Sequence, residues 1–224
     1  MSDEPIDIKA LRAEIARATR IENPAERALE IVAVIESVAA PLGIHPVVVG
    51  GMAVYFWTAS EKFLTHDIDV VMETPDVLTR RLGELGFVRT ANGRHWTLPD
   101  TDIYLEAPSS RLDAKAAVME IELTSGRTAR VLSRVDILLD RLDEFQATGH
   151  EIPAQQAIFM IAGLSEEQSQ ALNSRAPERE VTKILQAVRE IAADLATGGE
   201  PPDSGELHEI ARAALKPEYP SEQT

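Results

Sequence analysis

The chain has 224 residues, in which 22 lysines and arginines stand against 37 aspartates and glutamates, so its formal charge is −15. This charge disfavours duplex nucleic acid as a partner, because phosphates repel an acidic surface that lacks basic clusters. The apolar content of 44% excludes a wholly disordered chain, and every apolar segment is interrupted before the about 18 residues that a membrane span needs. The lack of cysteine and of a secretory signal favours a cytoplasmic location, away from any membrane.

Two amphipathic helices are predicted at the start of the chain. Apolar residues recur at helical spacing from 8 to 18, and again from 28 to 38 after Asn23-Pro24, a typical helix cap followed by proline. The pattern ends near Gly43. Residues 1–43 are therefore predicted to form an N-terminal helical pair.

A strand, a glycine turn and a helix follow. The β-branched residues 47–49 stop at Gly50 and Gly51, and a helical pattern then runs from 52 to 59. Because the two glycines lack side chains, a phosphate could approach their backbone N–H groups and the positive end of the helix. The same pattern is also typical of an ordinary tight turn, so the glycines alone leave both interpretations open.

Two aspartates share one face of the next predicted strand. Residues 65–72 alternate, so that Asp67 and Asp69 project to the same side with their Cα atoms about 6.5 Å apart. Carboxylates this close repel each other unless a cation lies between them, and Mg²⁺ and Mn²⁺ prefer such oxygen ligands. The alternative is a pair of solvated carboxylates at the exposed start of a strand.

Three further elements complete the predicted core. They are a helix at 76–85 ended by Gly86, a hairpin of 95–98 with 102–107, and a second hairpin of 119–123 with 128–132. In the first hairpin, Asp102 and Glu106 share one face. Either acid supplies a third carboxylate if its strand lies beside that of Asp67 and Asp69, and the alternative is the polar outer face of a hairpin.

The remainder of the chain is predicted to be helical. Apolar stripes at helical spacing define a C-terminal helical subdomain over 133–197, which leaves 44–132 as the core. From 198 to 224 the composition changes to Gly, Pro, Glu and Ser, which predicts an acidic mobile tail with a short helix at 207–215. The sequence gives no signal of an oligomeric state.

Together these features resemble the DNA polymerase beta-type nucleotidyltransferase superfamily. The superfamily pattern of strand, glycine pair, helix and Asp-x-Asp strand matches Val47 to Asp69, and a third carboxylate follows on a later strand. Small bacterial stand-alone members, including nucleotidyltransferase toxins of type IV toxin–antitoxin systems, have T-x-D-I-D and S-x-x-D phrases similar to residues 65–69 and 133–142. The resemblance covers residues 44–142. It implies an α+β fold with a mixed β-sheet flanked by helices and followed by a C-terminal helical subdomain.

The resemblance also implies an activity, namely the metal-dependent transfer of a nucleotidyl group from an NTP to an unidentified acceptor. The acceptor is a small molecule, a protein hydroxyl or RNA, and of these RNA is the least compatible with the acidic charge. The implied roles are catalysis by Asp67, Asp69 and Asp102 or Glu106, Mg²⁺ or Mn²⁺ binding by Asp67, Asp69 and Asp102, and phosphate binding by Gly50, Gly51, Lys62 and Arg141. The alternative is a catalytically weak or inactive binding or toxin–antitoxin component. The undecided third carboxylate and Gly51, which stands where the family often has serine, favour that alternative.

Overall fold

The computed structural model describes residues 6–91 and 93–215, and the chain divides into two compact units, Met1–Ser133 and Arg134–Thr224. The described strands all lie in the first unit, together with the helical pair predicted at 1–43. The described part of the second unit is built from helices. No described helix in either unit is long and apolar enough to cross a lipid bilayer.

The predicted elements of the first unit occur in the predicted order, and the strand at Val88–Arg89 is one that the sequence did not predict. Its helices are α1 (Ile8–Ala18), α2 (Pro24–Ala39), α3 (Gly50–Thr58) and α4 (Asp76–Leu85), and single 3-10 turns lie at Ala40–Leu42 and Glu61–Phe63. Its strands are β1 (Val47–Val48), β2 (Asp67–Val71), β3 (Val88–Arg89), β4 (His95–Thr97), β5 (Tyr104–Glu106), β6 (Val118–Glu122) and β7 (Thr128–Leu132).

These strands form one mixed sheet in the order β3-β4-β5-β2-β1-β7-β6. The pairs β2–β5 and β1–β7 are parallel, and the other neighbouring pairs are antiparallel. Both predicted hairpins are present, as β4–β5 and β6–β7. A mixed sheet with helices in the same unit confirms the predicted α+β class.

Two helix boundaries lie where local sequence signals placed them. Asn23 caps α2, because its side-chain oxygen accepts a hydrogen bond of 3.0 Å from the backbone N–H of Glu26, and Pro24 is the first helical residue. Gly86 ends α4 with a φ of +107°, a left-handed conformation that glycine adopts without steric cost.

Alternation along the central strands separates a buried face from a polar face. Ile68, Trp96 and Leu105 are at most 2% exposed and lie on the buried face. Asp67 and Asp69 lie on the opposite face, where the side chains are exposed or half-buried. A slip of one residue in β2 would move both carboxylates into the core, so burial of the apolar face fixes the register that displays them.

The second unit is helical, as predicted for the chain after Ser133, and it includes a helix at Glu166–Arg175 that no predicted stripe covered. Its helices are α5 (Arg134–Thr148), α6 (Glu151–Ile161), α7 (Glu166–Arg175), α8 (Thr182–Ala196) and α9 (Ser204–Leu215). The helix predicted at 207–215 is therefore present and begins at Ser204, and Leu207 is buried. The rest of the predicted tail, residues 216–224, lies outside the described residues.

Ion pairs join α5 to the segment that includes α7. Asp136, whose side chain is 3% exposed, lies in the first turn of α5, and its Oδ1 is 2.6 Å from Nη2 of Arg175 in the last turn of α7. Arg179, which follows α7, pairs with both Asp140 and Asp143 of α5. The acids within the 133–142 phrase therefore serve helix packing in the second unit.

Candidate functional site

The site begins at the turn between β1 and α3. Val49 donates its backbone N–H to the carbonyl of Asp69 at 2.9 Å, which ties the end of β1 to β2. Gly50 then starts α3 with a φ of +59°, and a Cβ atom placed on it would overlap Oδ2 of Asp69. The Asp69 carboxylate therefore lies directly against the Gly50 backbone, at the N-terminus of a helix whose first N–H groups lack intrahelical partners.

Parallel pairing of β2 with β5 brings a third carboxylate to the two aspartates. In this register Asp67 lies opposite Tyr104, and Asp69 lies opposite Glu106. Paired residues on neighbouring strands project to the same face, so Asp67, Asp69 and Glu106 share the polar face of the sheet. Asp67 is exposed, whereas Asp69 and Glu106 are half-buried.

Asp102 lies outside β5 and is engaged by basic side chains. Its Oδ2 is 2.7 Å from Nδ1 of His66 and 3.8 Å from Nη2 of Arg27, and that Arg27 nitrogen is also 3.3 Å from the His66 ring. Arg27 reaches this position from the first turn of α2. Of the two acids that the sequence left open, Glu106 is therefore the one that the sheet register places beside Asp69.

Glu106 has a histidine partner that the sequence did not indicate. His95 on β4 lies opposite Glu106 in the antiparallel ladder, and its Nε2 is 2.9 Å from Oε1 of Glu106. The predicted hairpin already contained both residues, but the turn between its strands did not define their register. The register of the two strands is the information that pairs His95 with Glu106, and the sequence did not supply it.

Lys62 and Arg141, the two basic residues predicted to bind phosphate, lie beside other side chains. Lys62 lies exposed in the turn after α3, with its Nζ 6.0 Å from the ring centroid of Phe63. Arg141 belongs to α5 of the second unit, where its Nη1 is 2.8 Å from Oε2 of Glu144 and 3.5 Å from Oε1 of Gln156. The phosphate contacts of Lys62 and Arg141 stay predictions.

The donor chemistry of the polar face fits a hard divalent cation. Asp67, Asp69 and Glu106 offer carboxylate oxygens from neighbouring strand positions, which are the ligands that Mg²⁺ and Mn²⁺ prefer. Within residues 6–91 and 93–215, no three histidine, aspartate or glutamate side chains already converge closely enough to hold a metal ion. Metal binding would therefore require rotation of at least one of these side chains about its fixed backbone position.

Comparison with known proteins finds similar chains among solved structures. No family model matches the chain, and no curated protein does. The chain is similar to an antigenic nucleotidyltransferase-like protein from Paracoccidioides brasiliensis, at 18% identity and a TM-score of 0.49, over 81% of this chain and 96% of that one. It is also similar to the antibiotic-resistance factor ANT(2'')-Ia, at 17% identity and a TM-score of 0.40, over 73% and 91% of the respective chains.

The two adjacent glycines should respond oppositely to alanine. Gly50→Ala should destabilise the first unit by about 1–2 kcal/mol, because a left-handed residue acquires a Cβ that also meets the Asp69 carboxylate. Gly51→Ala should be neutral or stabilising by up to about 1 kcal/mol, since its Cβ would lie 3.4 Å from Cγ2 of Thr65, an ordinary contact, within a helix that favours alanine. Urea unfolding followed by tryptophan fluorescence measures both, and equal effects of the two substitutions would contradict the geometry.

Proposed function

We propose that this protein transfers a nucleotidyl group from an NTP to a hydroxyl acceptor with the help of Mg²⁺ or Mn²⁺. One observation carries the proposal, namely that Asp69 lies between the Gly50 backbone on one side and Glu106 on the other. A glycine turn at a helix N-terminus and a row of carboxylates, Asp67, Asp69 and Glu106, thus adjoin along one sheet face. The motif pattern of residues 47–69 supports the same activity.

The glycine turn and the three carboxylates each have a role in the transfer. The N-terminus of α3 at Gly50 and Gly51 would receive the β- and γ-phosphates, because the first backbone N–H groups of a helix and its dipole attract anions. Asp67 and Asp69, with Glu106 as a third ligand, would hold the metal, which when bound neutralises charge on the triphosphate. Glu106 would accept the proton of the acceptor hydroxyl. A bond forms between that oxygen and the α-phosphorus, the α–β phosphoanhydride bond breaks, and pyrophosphate leaves.

The strand order also orients the two substrates. Displacement at phosphorus proceeds in line, so the attacking hydroxyl lies opposite the leaving pyrophosphate. If the pyrophosphate occupies the β1–α3 turn, the acceptor lies on the far side of β2, over β5 and β4. The polar-face residues there include Glu106, Tyr104 and His95.

The acceptor is a small molecule, a protein hydroxyl or an RNA end. RNA is the least favoured of these acceptors, because the net charge is −15 and the sequence has no strong cluster of basic residues to offset phosphate repulsion. We further propose a cytoplasmic setting, and a toxin–antitoxin system is the biological context that the T-x-D-I-D phrase suggests.

A binding protein without turnover is the second candidate function. It is favoured by the absence, within the described residues, of three acidic or histidine side chains already gathered into a metal cluster. In that case the NTP binds at the same face, and no pyrophosphate is released. The two candidates therefore differ in turnover and agree in nucleotide binding.

The test is a thermal-unfolding experiment with each of the four NTPs, in the presence of Mg²⁺ or of EDTA. We expect at least one NTP to raise the Tm only with Mg²⁺, since a ligand at 100 times its Kd adds about 2.7 kcal/mol of stability. Release of pyrophosphate on addition of acceptor candidates then separates the enzyme from the binding protein. An unchanged Tm with all four NTPs would contradict both.

A further inference from the structure

His95 and Glu106 are in contact on the polar face of the sheet. The roles proposed above make no use of this contact. Nε2 of His95 and Oε1 of Glu106 are 2.9 Å apart, and the two side chains are only 15% and 27% exposed. An ionised carboxylate can only accept a hydrogen bond, so at this separation the imidazole is the partner that could donate one.

The imidazole is held in place by a neighbouring ring. The ring centroids of His95 and Tyr104 are 5.0 Å apart, and the ring planes are inclined by 44°. Tyr104 is bracketed in the sheet by Asp67 on one side and Thr97 on the other. Packing against Tyr104, which lies opposite Asp67 in the sheet, therefore restricts rotation of His95 away from Glu106.

We propose that His95 is a positioning residue for Glu106 and that this contact makes Glu106 the third carboxylate of the site. The inference rests on the proposed function. A glutamate has one more rotatable bond than an aspartate, so its carboxylate needs a partner to occupy one position. Because β5 lies between β4 and β2, a His95 that holds Oε1 on the β4 side would leave Oε2 for Asp69 on the other side. Side chains that orient metal-binding carboxylates in this way set metal affinity.

The surroundings of Asp102 support this assignment by contrast. Two basic side chains, His66 and Arg27, approach its Oδ2, and it lies before β5 begins. The positive charge of Arg27 compensates that carboxylate without any metal. Glu106 is instead contacted by one ring nitrogen at one oxygen, within the strand that pairs with β2.

The test uses the full chain, with Mn²⁺ and inorganic tripolyphosphate as probes and with Mn²⁺ binding followed by electron paramagnetic resonance. We expect His95→Leu to weaken Mn²⁺ binding by about 10–100-fold. His95→Gln should restore most of the affinity, because its side-chain amide also donates a hydrogen bond toward Glu106. Thr97→Val, on the same strand and face, is the matched control and should bind as the wild type does. His95→Leu combined with Glu106→Gln should be no weaker than Glu106→Gln alone.

The outcomes separate this inference from the proposed function. If the wild type binds Mn²⁺ with tripolyphosphate and Asp69→Asn does not, while His95→Leu binds normally, the positioning role is wrong and the proposed function stands. Equal losses in His95→Leu and His95→Gln would also overturn the role, since they would show that only the ring packing matters. If the wild type binds no Mn²⁺ with tripolyphosphate, both fall together.

Discussion

Asp69→Asn should lower the affinity for Mg²⁺ and NTP by more than about 100-fold while the protein stays folded. Loss of a residue that merely supports a metal ligand costs about 10–100-fold in affinity, and loss of a charged ligand should exceed that. Asp69 is the central residue of the row, since it lies against Gly50 on one side and opposite Glu106 on the other. Asparagine keeps the shape of the side chain and removes its charge. Isothermal titration with an NTP, in Mg²⁺ and in EDTA, measures the effect.

The control for Asp69→Asn is Asp76→Asn at the start of α4. It removes the same charge from an exposed carboxylate outside the row, so it tests whether the change in net charge alone reduces nucleotide affinity. We expect wild-type binding from this control. Similar losses in the two variants would mean that Asp69 acts only through the overall charge, which contradicts the site.

Arg175→Met should destabilise the second unit by about 3–5 kcal/mol. Asp136 is 3% exposed, and Arg175 pairs with it at 2.6 Å, so removal of the guanidinium leaves a buried carboxylate without its charge partner. The double substitution Asp136→Leu with Arg175→Met should recover much of this loss, because no charge then remains buried. Urea unfolding followed by circular dichroism at 222 nm measures both variants.

A pair in the same helix whose carboxylate is exposed provides the control for Arg175→Met. Glu144→Gln removes the carboxylate that faces Arg141, and because its side chain is 43% exposed the cost should stay below about 1 kcal/mol. Both tryptophans, Trp57 and Trp96, lie in the first unit, so their fluorescence reports that unit separately. An Arg175→Met cost as small as that of Glu144→Gln would show that Asp136 is not effectively buried.

Local signals explain which parts of the fold were predictable from the sequence. Asn23-Pro24 and Gly86 mark helix ends through their own backbone preferences, and both marks were confirmed. The two hairpins were predictable for the same reason, because short turns join their strands. The α+β class follows from the succession of such elements.

The third carboxylate depends on information that is not local. Which acid lies beside Asp69 is decided by the parallel pairing of β2 with β5, and the chain between these strands forms α4, β3 and β4. Alternation within residues 102–107 puts Asp102 and Glu106 on one face and gives no register to choose between them. The ion pair between Asp136 and Arg175 was not predictable from local sequence either, because it joins residues of separate helices.

The most direct test of the central claim is the position of a bound Mn²⁺, determined by anomalous scattering from crystals grown with MnCl₂ and a non-hydrolysable NTP analogue. We predict a peak within coordination distance of the Asp67 and Asp69 carboxylates, with Glu106 as the third protein ligand and the triphosphate over Gly50 and Gly51. A Mn²⁺ peak away from Asp67 and Asp69, or bound nucleotide elsewhere on the chain, would contradict the proposed site.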